Sequence, residues 1–387
     1  MLNKHGFAEL QIFIINVIIY SIITLLKRER YEKMKSKKKI VIIAIVIFMI
    51  ISTIVGYLIT ASNMKKNFRR YDYPVEGETA RWFYDHYEND YPRESADFKS
   101  DENNLKGFIY GMDNDKGLIV FAHGIGRGHE RYLGIITRLV DRGWRVFAYD
   151  ATGSGYSEGE GAKGLAQSVI DLDKALDLAE TDPRMKDMKK YVLGHSWGGY
   201  AVAAVLNFDH DVAACVTLSG YNSPFEELAE TCDNKYGIAG KLLHPILWTN
   251  NKVTFGKYSS WKAVDGINKS GIPVMVVHGT EDDVIDYNGA AIIAHKDEIT
   301  NPNVKYVTYS DEGRNGHSSY FNTVEYAEYE EEQDIDERLE ELEEKYDDYI
   351  PNDELVKYYS SIDQELYNDY DGDFINMIDS FFTENIK

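Results

Sequence analysis

The stretch KYVLGHSWGG, residues 190–199, decides the fold of this chain. Lys190–Gly194 has the apolar pattern of a short strand, and Gly199–Asn207 has the small-residue pattern of a helix. Between them lies a G-x-S-x-G motif centred on Ser196. A serine on a sharp strand–turn–helix needs small neighbours, and such a turn exposes the hydroxyl above the sheet. The pattern therefore predicts that Ser196 is a nucleophile.

A second G-x-S-x-G motif, GYSEG, is centred on Ser157. Because the sequence is rich in glycine, chance alone can produce such motifs, and context must choose between the two. Ser157 lies between ATGSGY and EGEGAKG, with no strand before it and no helix directly after it. The context predicts a loop at Ser157.

The sequence around Ser196 alternates short apolar runs with amphipathic helical patterns. Such alternation predicts the α/β class, with a doubly wound, mostly parallel sheet covered on both faces. The first two runs are joined by Glu102–Asn104 and predict a hairpin that gives the sheet an antiparallel edge. The eight predicted strands are Asp97–Ser100, Leu105–Gly111, Leu118–Ala122, Arg145–Tyr149, Lys190–Gly194, Val212–Leu218, Pro273–His278 and Val304–Tyr309.

Two stretches interrupt this alternation. Residues 221–271 contain no clear strand, are rich in Trp, Tyr, Leu and Lys, and predict a helical lid insertion. Residues 325–350 are strongly acidic, and Leu339 and Leu342 at helical spacing predict an acidic helical insertion. The alternative for this second stretch is a solvated or partly disordered acidic face. The helical stripe of residues 374–382 is expected to close the core.

An activated serine needs a base, and the base needs an acid that orients it. On a sheet of this kind the partners follow the serine in the order acid, then histidine, after later strands. The loop after Val304–Tyr309 offers only His317, so elimination selects His317. The loop after Pro273–His278 leaves four candidate acids: Glu281, Asp282, Asp283 and Asp286.

Residues 1–70 form a predicted membrane anchor, and residues 71–387 form the predicted catalytic domain. Two uncharged stretches, residues 10–26 and 40–61, have lengths suited to one or two membrane spans. The loop Lys27–Lys39 between them carries eight Lys or Arg and two Glu, so the positive-inside rule places it in the cytoplasm. The catalytic domain is then extracytoplasmic, at the cell membrane. A start at Met34 leaves a single signal-anchor and the same outcome.

Charge and composition exclude several classes of function. The chain has 42 Lys and Arg against 64 Asp and Glu, a net charge of −22. Positions 1–70 hold 13 of the basic and 3 of the acidic side chains, which leaves 29 basic and 61 acidic ones in the body. A nucleic-acid partner would need a basic surface. Two cysteines, Cys215 and Cys232, exclude a disulfide framework, and no histidine spacing matches a metal site, so no cofactor is expected.

Five motifs in order resemble the α/β-hydrolase family, in particular its lysophospholipase-like and S33 serine-aminopeptidase-like branch. They lie within residues 92–320: HGIGRG at 123–128, DATGSGYSEG at 150–159, GHSWGG at 194–199, HGTEDDVI at 278–285 and GRNGH at 313–317. The resemblance implies that Asp282 is the acid and that the amides of Ile125 and Trp197 form an oxyanion hole. It also implies that the 150–159 stretch is a structural loop beside the site. The chain departs from the family in the long stretch between His317 and the final helix.

Other histidines do not fit the order of acid and base. His123, His195 and His278 lie in turns or precede the acid, so they are interpreted as structural or supporting residues. His129 is a further candidate for lining the site.

The leading hypothesis is a membrane-tethered serine hydrolase that acts on a small-molecule or lipid ester. An S33-like peptidase with the same triad is the alternative, and lid carboxylates at Glu226, Glu227 and Glu230 are available to bind a free amino terminus. A non-catalytic binding module is the third hypothesis, against which the order Ser–Asp–His counts. The oligomeric state is left open.

Overall fold

The computed structural model describes residue 20 and residues 37–75, 77–346 and 350–386. The chain divides into two compact units between Leu58 and Ile59. Helix α1 (Lys37–Asn67) contains a segment, Ile42–Asn67, that is long and apolar enough to cross a membrane by length and composition. The predicted span at residues 40–61 falls within α1. The predicted span at residues 10–26 lies outside the described residues, except for residue 20.

The described part of the second unit contains ten strands. They are β1 Arg93–Ser95, β2 Phe98–Ser100, β3 Asn103–Leu105, β4 Gly107–Tyr110, β5 Leu118–Ala122, β6 Arg145–Tyr149, β7 Lys190–His195, β8 Val212–Leu218, β9 Val274–Gly279 and β10 Val304–Tyr309. Eight of them form one sheet in the order β1-β4-β6-β5-β7-β8-β9-β10. Neighbouring strands from β6 to β10 in this order are parallel. Strand β4 is antiparallel to both of its neighbours, β1 and β6. This is the predicted doubly wound, mostly parallel sheet.

The predicted hairpin is wrong in its position. Strands β2 and β3 pair with each other in a separate two-stranded sheet, and the antiparallel edge of the main sheet is formed by β4 and β1. The predicted strand Leu105–Gly111 is divided at Lys106, because a neighbouring loop takes up the backbone of this residue. The Lys106 amide donates to Ser157 Oγ (2.7 Å), and its carbonyl accepts from the Asp150 amide (2.9 Å).

Helices cover both faces of the main sheet. After α1 they are α2 Tyr84–Tyr87, α3 Leu133–Val140, α4 Gln167–Ala179, α5 Trp197–Ala204, α6 Pro224–Tyr236, α7 Ile238–Phe255, α8 Ala263–Ser270, α9 Val324–Glu332, α10 Ile335–Tyr346, α11 Asn352–Tyr359, α12 Gln364–Tyr367 and α13 Gly372–Glu384. Helices α4, α5 and α8 pack on one face, and α3 and α13 pack on the other.

Strand β5 illustrates how the sheet is buried from both sides. Successive side chains of a strand point to opposite faces. Leu118 and Val120 accordingly belong to the core beneath α4 and α5, while Ile119 and Phe121 belong to the core beneath α3 and α13. Every residue of β5 is buried, which explains why its sequence is continuously apolar.

Residues 221–271 contain helices α6, α7 and α8 and follow strand β8. Ser223 caps α6 by accepting a hydrogen bond from the Glu226 amide, and Pro224 occupies the first helical position. Gly237, with φ +57°, separates α6 from α7. Such a backbone angle is easily adopted only by glycine, so the two helices form a hairpin that turns at this residue.

The acidic helices α9 and α10 are part of a second helical insertion, between His317 and α13. Ile335 of α10 forms a small apolar core with Ala80, Tyr358 and Ile362, so these acidic helices have one buried face. The insertion also binds the segment around Ala80 and Trp82, through which the chain enters the catalytic domain from its N-terminal side. The Asn368 side chain donates to the Ala80 carbonyl (2.8 Å) and accepts from the Trp82 amide (2.9 Å).

Gly198, in the first turn of α5, is a position where the packing leaves no room for a side chain. A Cβ built there would overlap the carbonyl oxygen of Ala122, at the end of β5. Because the atoms that the Cβ would meet belong to the backbone of Ala122 and His123 and cannot rotate away, we expect Gly198→Ala to lower the free energy of unfolding by about 2 kcal/mol or more. Urea unfolding of the full chain in detergent measures this. Gly372→Ala is the matched control, since a Cβ there meets nothing within 4 Å; equal stability of the two variants would contradict the prediction.

Candidate active site

Ser196 occupies a strained turn between β7 and α5. Its φ is +57° and its ψ is −115°, in a region that residues with a Cβ rarely adopt. The Ser196 amide donates to the Leu218 carbonyl at the end of β8 (2.8 Å), which fixes the turn to the neighbouring strand. Strain of this kind persists only where the surroundings determine it, and it concentrates at functional sites.

Ser157, the other motif serine, is held in a different way. It is buried, its Oγ donates to the Asp150 carbonyl (2.5 Å), and the same Oγ accepts from the Lys106 amide. Both hydrogen-bonding roles of the hydroxyl are therefore used inside the loop. Ser157 does not lie in the left-handed region. Its contacts are those of a structural residue.

The structure brings Asp282 and His317 together. His317 Nδ1 lies 2.8 Å from Asp282 Oδ2 and 2.9 Å from Oδ1. Because an ionised carboxylate only accepts hydrogen bonds, Nδ1 carries the proton, and Nε2 presents its lone pair. Ser196, Asp282 and His317 follow β7, β9 and β10, three parallel strands whose carboxyl ends lie at one edge of the sheet.

Asp282 is buried, whereas the other three carboxylates in the loop after β9 are exposed. Asp282 Oδ1 accepts from the amides of Val284 (3.0 Å) and Ile285 (2.9 Å). Burial alone would raise the pKa of Asp282, but hydrogen bonds from His278 and His317 outweigh it and hold the pKa well below its usual range. Asp282 is therefore ionised at neutral pH.

The turn after β5 lies against the Ser196 turn. A Cβ built on Gly124 would lie 3.5 Å from Ser196 Cβ, so the backbone of this turn runs beside the serine. Ile125 is the next residue in the turn and is partly buried. Trp197, the first residue of α5, follows Ser196 directly. The two amides implied by the family resemblance thus belong to the two backbone segments that border the serine.

His195 and Ser219 contact the backbone of His317, and Tyr132 contacts His195 in turn. The sequence does not predict these contacts. The His317 carbonyl accepts from His195 Nε2 (3.0 Å) and from Ser219 Oγ (2.9 Å). Since Nε2 donates, Nδ1 of His195 accepts from the Tyr132 hydroxyl (2.9 Å). Burial, together with the nearby His317, holds the pKa of His195 well below its usual range, so this imidazole is neutral. The position of His195 in the sequence predicts only a supporting residue, and no sequence pattern indicates Tyr132 or Ser219.

The Tyr132 hydroxyl also accepts from the Gly124 amide (3.1 Å). A continuous hydrogen-bonded path therefore runs from the turn beside Ser196, through Tyr132 and His195, to the backbone of His317. It links the position of the candidate oxyanion turn to the position of the candidate base.

His278 and His129 have separate environments. His278 is buried beside Asp282, with Nε2 3.0 Å from Asp282 Oδ2 and 3.0 Å from the Ile285 carbonyl. The suggestion that His129 lines the site is wrong, because this ring is fully buried and its Nδ1 lies 2.8 Å from Asp150 Oδ1. Burial alone would raise the pKa of Asp150, but His129 outweighs it and lowers the pKa to about 2.

Asp173, Asp177 and His210 place possible metal ligands within 4.8 Å of one another. The Lys174 ammonium lies 2.8 Å from Asp173 Oδ2 and 2.6 Å from Asp177 Oδ2. A side-chain cation is therefore already paired with both carboxylates. This cluster is better described as an ion-pair network on α4 than as a metal centre.

Comparisons with known proteins show which families and structures this chain is similar to. The family model described as serine aminopeptidase, S33, matches residues 113–264, which include β5 to β8 and the Ser196 turn. Among solved structures, an esterase of Pyrococcus furiosus superposes with a TM-score of 0.48 at 17% identity, over 65% of this chain and 90% of that one.

Two curated relatives are named as alpha/beta hydrolase domain-containing proteins. The chain is 26% identical over 191 residues to alpha/beta hydrolase domain-containing protein 17B of Xenopus tropicalis, covering 47% of this chain and 55% of the relative. It is 24% identical to protein 17C of Homo sapiens, covering 47% and 48%. The chain thus spans about half the length of these relatives. The matched S33 segment and these relatives support the placement of the chain in the α/β-hydrolase superfamily.

Proposed function

We propose that this α/β hydrolase is a membrane-tethered serine hydrolase that cleaves a carboxylic ester, with lipids or lysolipids as the substrate class. The observation that carries the proposal is the contact of Asp282 with His317 at the sheet edge where Ser196 holds a strained turn. The helix Lys37–Asn67 supports the tether by its length and composition.

In the proposed reaction Ser196 Oγ attacks the ester carbonyl while His317 Nε2 takes its proton. The tetrahedral intermediate places its negative oxygen near the amides of Ile125 and Trp197, and such a donor contributes about 3 kcal/mol to the stability of the transition state. Collapse breaks the bond to the alcohol, which leaves with the proton from His317. Water then attacks the acyl-enzyme by the same route and releases the acid.

Asp282 stays ionised throughout and stabilises the imidazolium that forms on His317. Its lowered pKa supports this role, since protonation would remove the charge. His195 does not compete as a base, because Nδ1 accepts from Tyr132 and Nε2 donates to the His317 carbonyl. The backbone contacts of His195 and Ser219 hold the base while its ring carries the proton.

The alternative, a peptidase with the same triad, has one specific observation in its favour. Glu227 of α6 is buried, and its Oε2 has no hydrogen-bond partner among the described residues, while Oε1 accepts from Thr231 (3.0 Å). Burial raises the pKa of Glu227 to about 8. A buried carboxyl with an unused oxygen is suited to a donor group on a ligand, such as an amine.

The other two candidate glutamates of the lid have partners within the protein. Glu226 lies 3.1 Å from the Lys262 ammonium, and Glu230 accepts from the amides of Asp286 (3.0 Å) and Ala290 (2.6 Å). Glu230 thereby holds α6 against the loop that carries Asp282. Glu227 is therefore the lid carboxylate best suited to a ligand.

Replacing Ser196 with alanine is expected to abolish labelling of the full-length chain by a fluorophosphonate probe. Ester hydrolysis should fall by about 10⁴-fold or more, because the attacking oxygen is lost. Ser157→Ala is the matched control and should keep its labelling. Labelling that persists in Ser196→Ala and disappears in Ser157→Ala would show that the nucleophile is misassigned. A screen of the wild type against acyl esters, lysolipids and aminoacyl amides separates the alternatives, since faster amide turnover would favour the peptidase.

The raised pKa of Glu227 predicts a pH dependence of stability. The folded protein holds this proton up to about pH 8, whereas the unfolded chain releases it near pH 4.5. Stability should therefore fall as pH rises through this window, at about 1.4 kcal/mol per pKa unit and a few kcal/mol in total. Glu227→Gln removes the titration, so its advantage over the wild type should grow from pH 5 to pH 8 in urea unfolding. Glu226→Gln is the control, and a constant difference between Glu227→Gln and the wild type would refute the prediction.

The extracytoplasmic location of the catalytic domain is a proposal that rests on the basic loop Lys27–Lys39. External protease added to intact cells that express the chain should digest the domain. The basic loop stays in the cytoplasm, so the domain at the other end of the span Ile42–Asn67 lies outside. A cytoplasmic marker protein must survive in the same sample. Resistance of the domain until the membrane is permeabilised would reverse the orientation.

A further inference from the structure

Helix α7 in the lid presents apolar side chains to the outside. Ile238 is 84% exposed, Leu242 is 76% exposed and Trp248 is 53% exposed. A helix on the surface of a globular protein normally turns its apolar stripe toward the core. The inward face of α7 holds Leu247 and Phe255, but Asn250 and Asn251 are buried beside them while larger apolar side chains stand outside. An apolar patch of this kind marks a surface that meets a partner or a membrane.

The charge of this segment is opposite to that of the domain that carries it. Residues 238–264 contain four lysines and neither Asp nor Glu, although residues 71–387 have a net charge of −32. The four lysines are Lys241, Lys252, Lys257 and Lys262, of which Lys262 is already paired with Glu226. A surface that combines apolar and basic side chains matches an anionic bilayer, where lysine binds headgroups and tryptophan settles at the interface. The acidic remainder of the domain would be repelled by the same bilayer.

The residues that follow the candidate span are docked on the catalytic domain. The span ends at Asn67, and the carbonyl of the next residue, Phe68, accepts a hydrogen bond from the Ala162 amide (2.9 Å). The guanidinium of Arg70 donates to the carbonyls of Ser157 (2.6 Å) and Gly155 (2.5 Å). In the described chain, therefore, the residues directly after Asn67 are held by the domain. The loop around Ser157, the second G-x-S-x-G motif, serves as the receptor for this segment.

This docking loop and the lid lie at the same edge of the sheet. The loop follows β6 and the lid follows β8, and the two strands run parallel within one sheet, so their carboxyl ends coincide. The loop and the lid also meet directly, because a Cβ on Gly164 would lie 2.8 Å from the Phe255 ring of α7. The chain thus enters the domain at the edge that carries both α7 and Ser196.

We propose that the outward face of α7 lies in the interface of an anionic bilayer, the same bilayer that holds the tether. Ile238, Leu242 and Trp248 enter the headgroup region, and the neighbouring lysines bind anionic phospholipid headgroups. The inference rests on the tether of the proposed function and names a second membrane contact. It places the candidate active site next to the lipid surface, where an ester lipid would enter.

Spin labels on the full-length chain test this contact. A nitroxide on Leu242→Cys, in nanodiscs of phosphatidylglycerol, should be more accessible to oxygen than to a water-soluble nickel chelate. A nitroxide on Glu340→Cys, an exposed position of α10, is the matched control and should show the opposite order. The unsubstituted chain measures any labelling of Cys215 and Cys232, which are buried.

Lipid charge and protein charge provide two further comparisons. Phosphatidylcholine nanodiscs should raise the nickel accessibility of the Leu242 label at least threefold, and this comparison needs no further substitution. The triple variant Lys241→Glu, Lys252→Glu, Lys257→Glu should have the same effect in phosphatidylglycerol. Lys305→Glu, at an exposed lysine of β10, should leave the label unchanged.

Several outcomes would overturn the proposal. Equal nickel accessibility at the two labelled positions in phosphatidylglycerol shows that α7 stays in water. Dipolar broadening between Leu242 labels shows that a second copy of the chain covers this face instead. Extraction of the chain from membranes by alkaline carbonate refutes the tether, whereas retention with a water-exposed label refutes the lid contact alone. Fluorophosphonate labelling of the same samples reports the catalytic proposal independently.

Discussion

The backbone of Ser196 is the constraint on which the rest of the site depends. A residue with a Cβ at φ +57° is unfavourable, and the turn holds this angle because its neighbours leave no alternative. The Ser196 amide is bound by the Leu218 carbonyl, and Gly198 lies so close to the end of β5 that a side chain would not fit. Three parallel strands, β5, β7 and β8, thus determine where the hydroxyl stands before any catalytic partner is considered.

The same edge of the sheet holds His317 by both its ring and its backbone. The ring donates to Asp282, and the carbonyl accepts from His195 and Ser219. The electrostatic consequences differ for the two partners. The histidines around Asp282 lower its pKa, so a negative charge persists beside the ring, while burial keeps His195 neutral, so no second positive charge on His195 opposes an imidazolium. The arrangement favours proton transfer at one histidine and positioning at the other.

Two stretches without an obvious catalytic role have a structural role, which their contacts indicate. The loop around Ser157 binds Arg70 and the extended segment that follows the candidate span. The insertion after His317 binds the next part of the same segment, through Asn368 and the apolar core around Ile335. Both therefore attach the entering chain to the domain. The acidic residues of α9 and α10 add to the negative charge of the domain around this attachment.

The sequence by itself determined the class of fold, the Ser196 turn and the choice of His317 as candidate base, because these depend on local pattern and on chain order. Strand, turn and helix around Ser196 are encoded within one continuous stretch, 190–207, and His317 is the only histidine that follows the last strand in the sequence. Local pattern left four possible acids, and the burial of Asp282 against His317 is a tertiary fact that only family resemblance anticipated. The antiparallel edge was misplaced because Lys106 is bound by the loop around Ser157, which is distant in the chain. Only the tertiary structure likewise determined the contacts of Tyr132 and Ser219 and the outward direction of the apolar face of α7. Contacts between distant segments leave no periodic signal in the sequence.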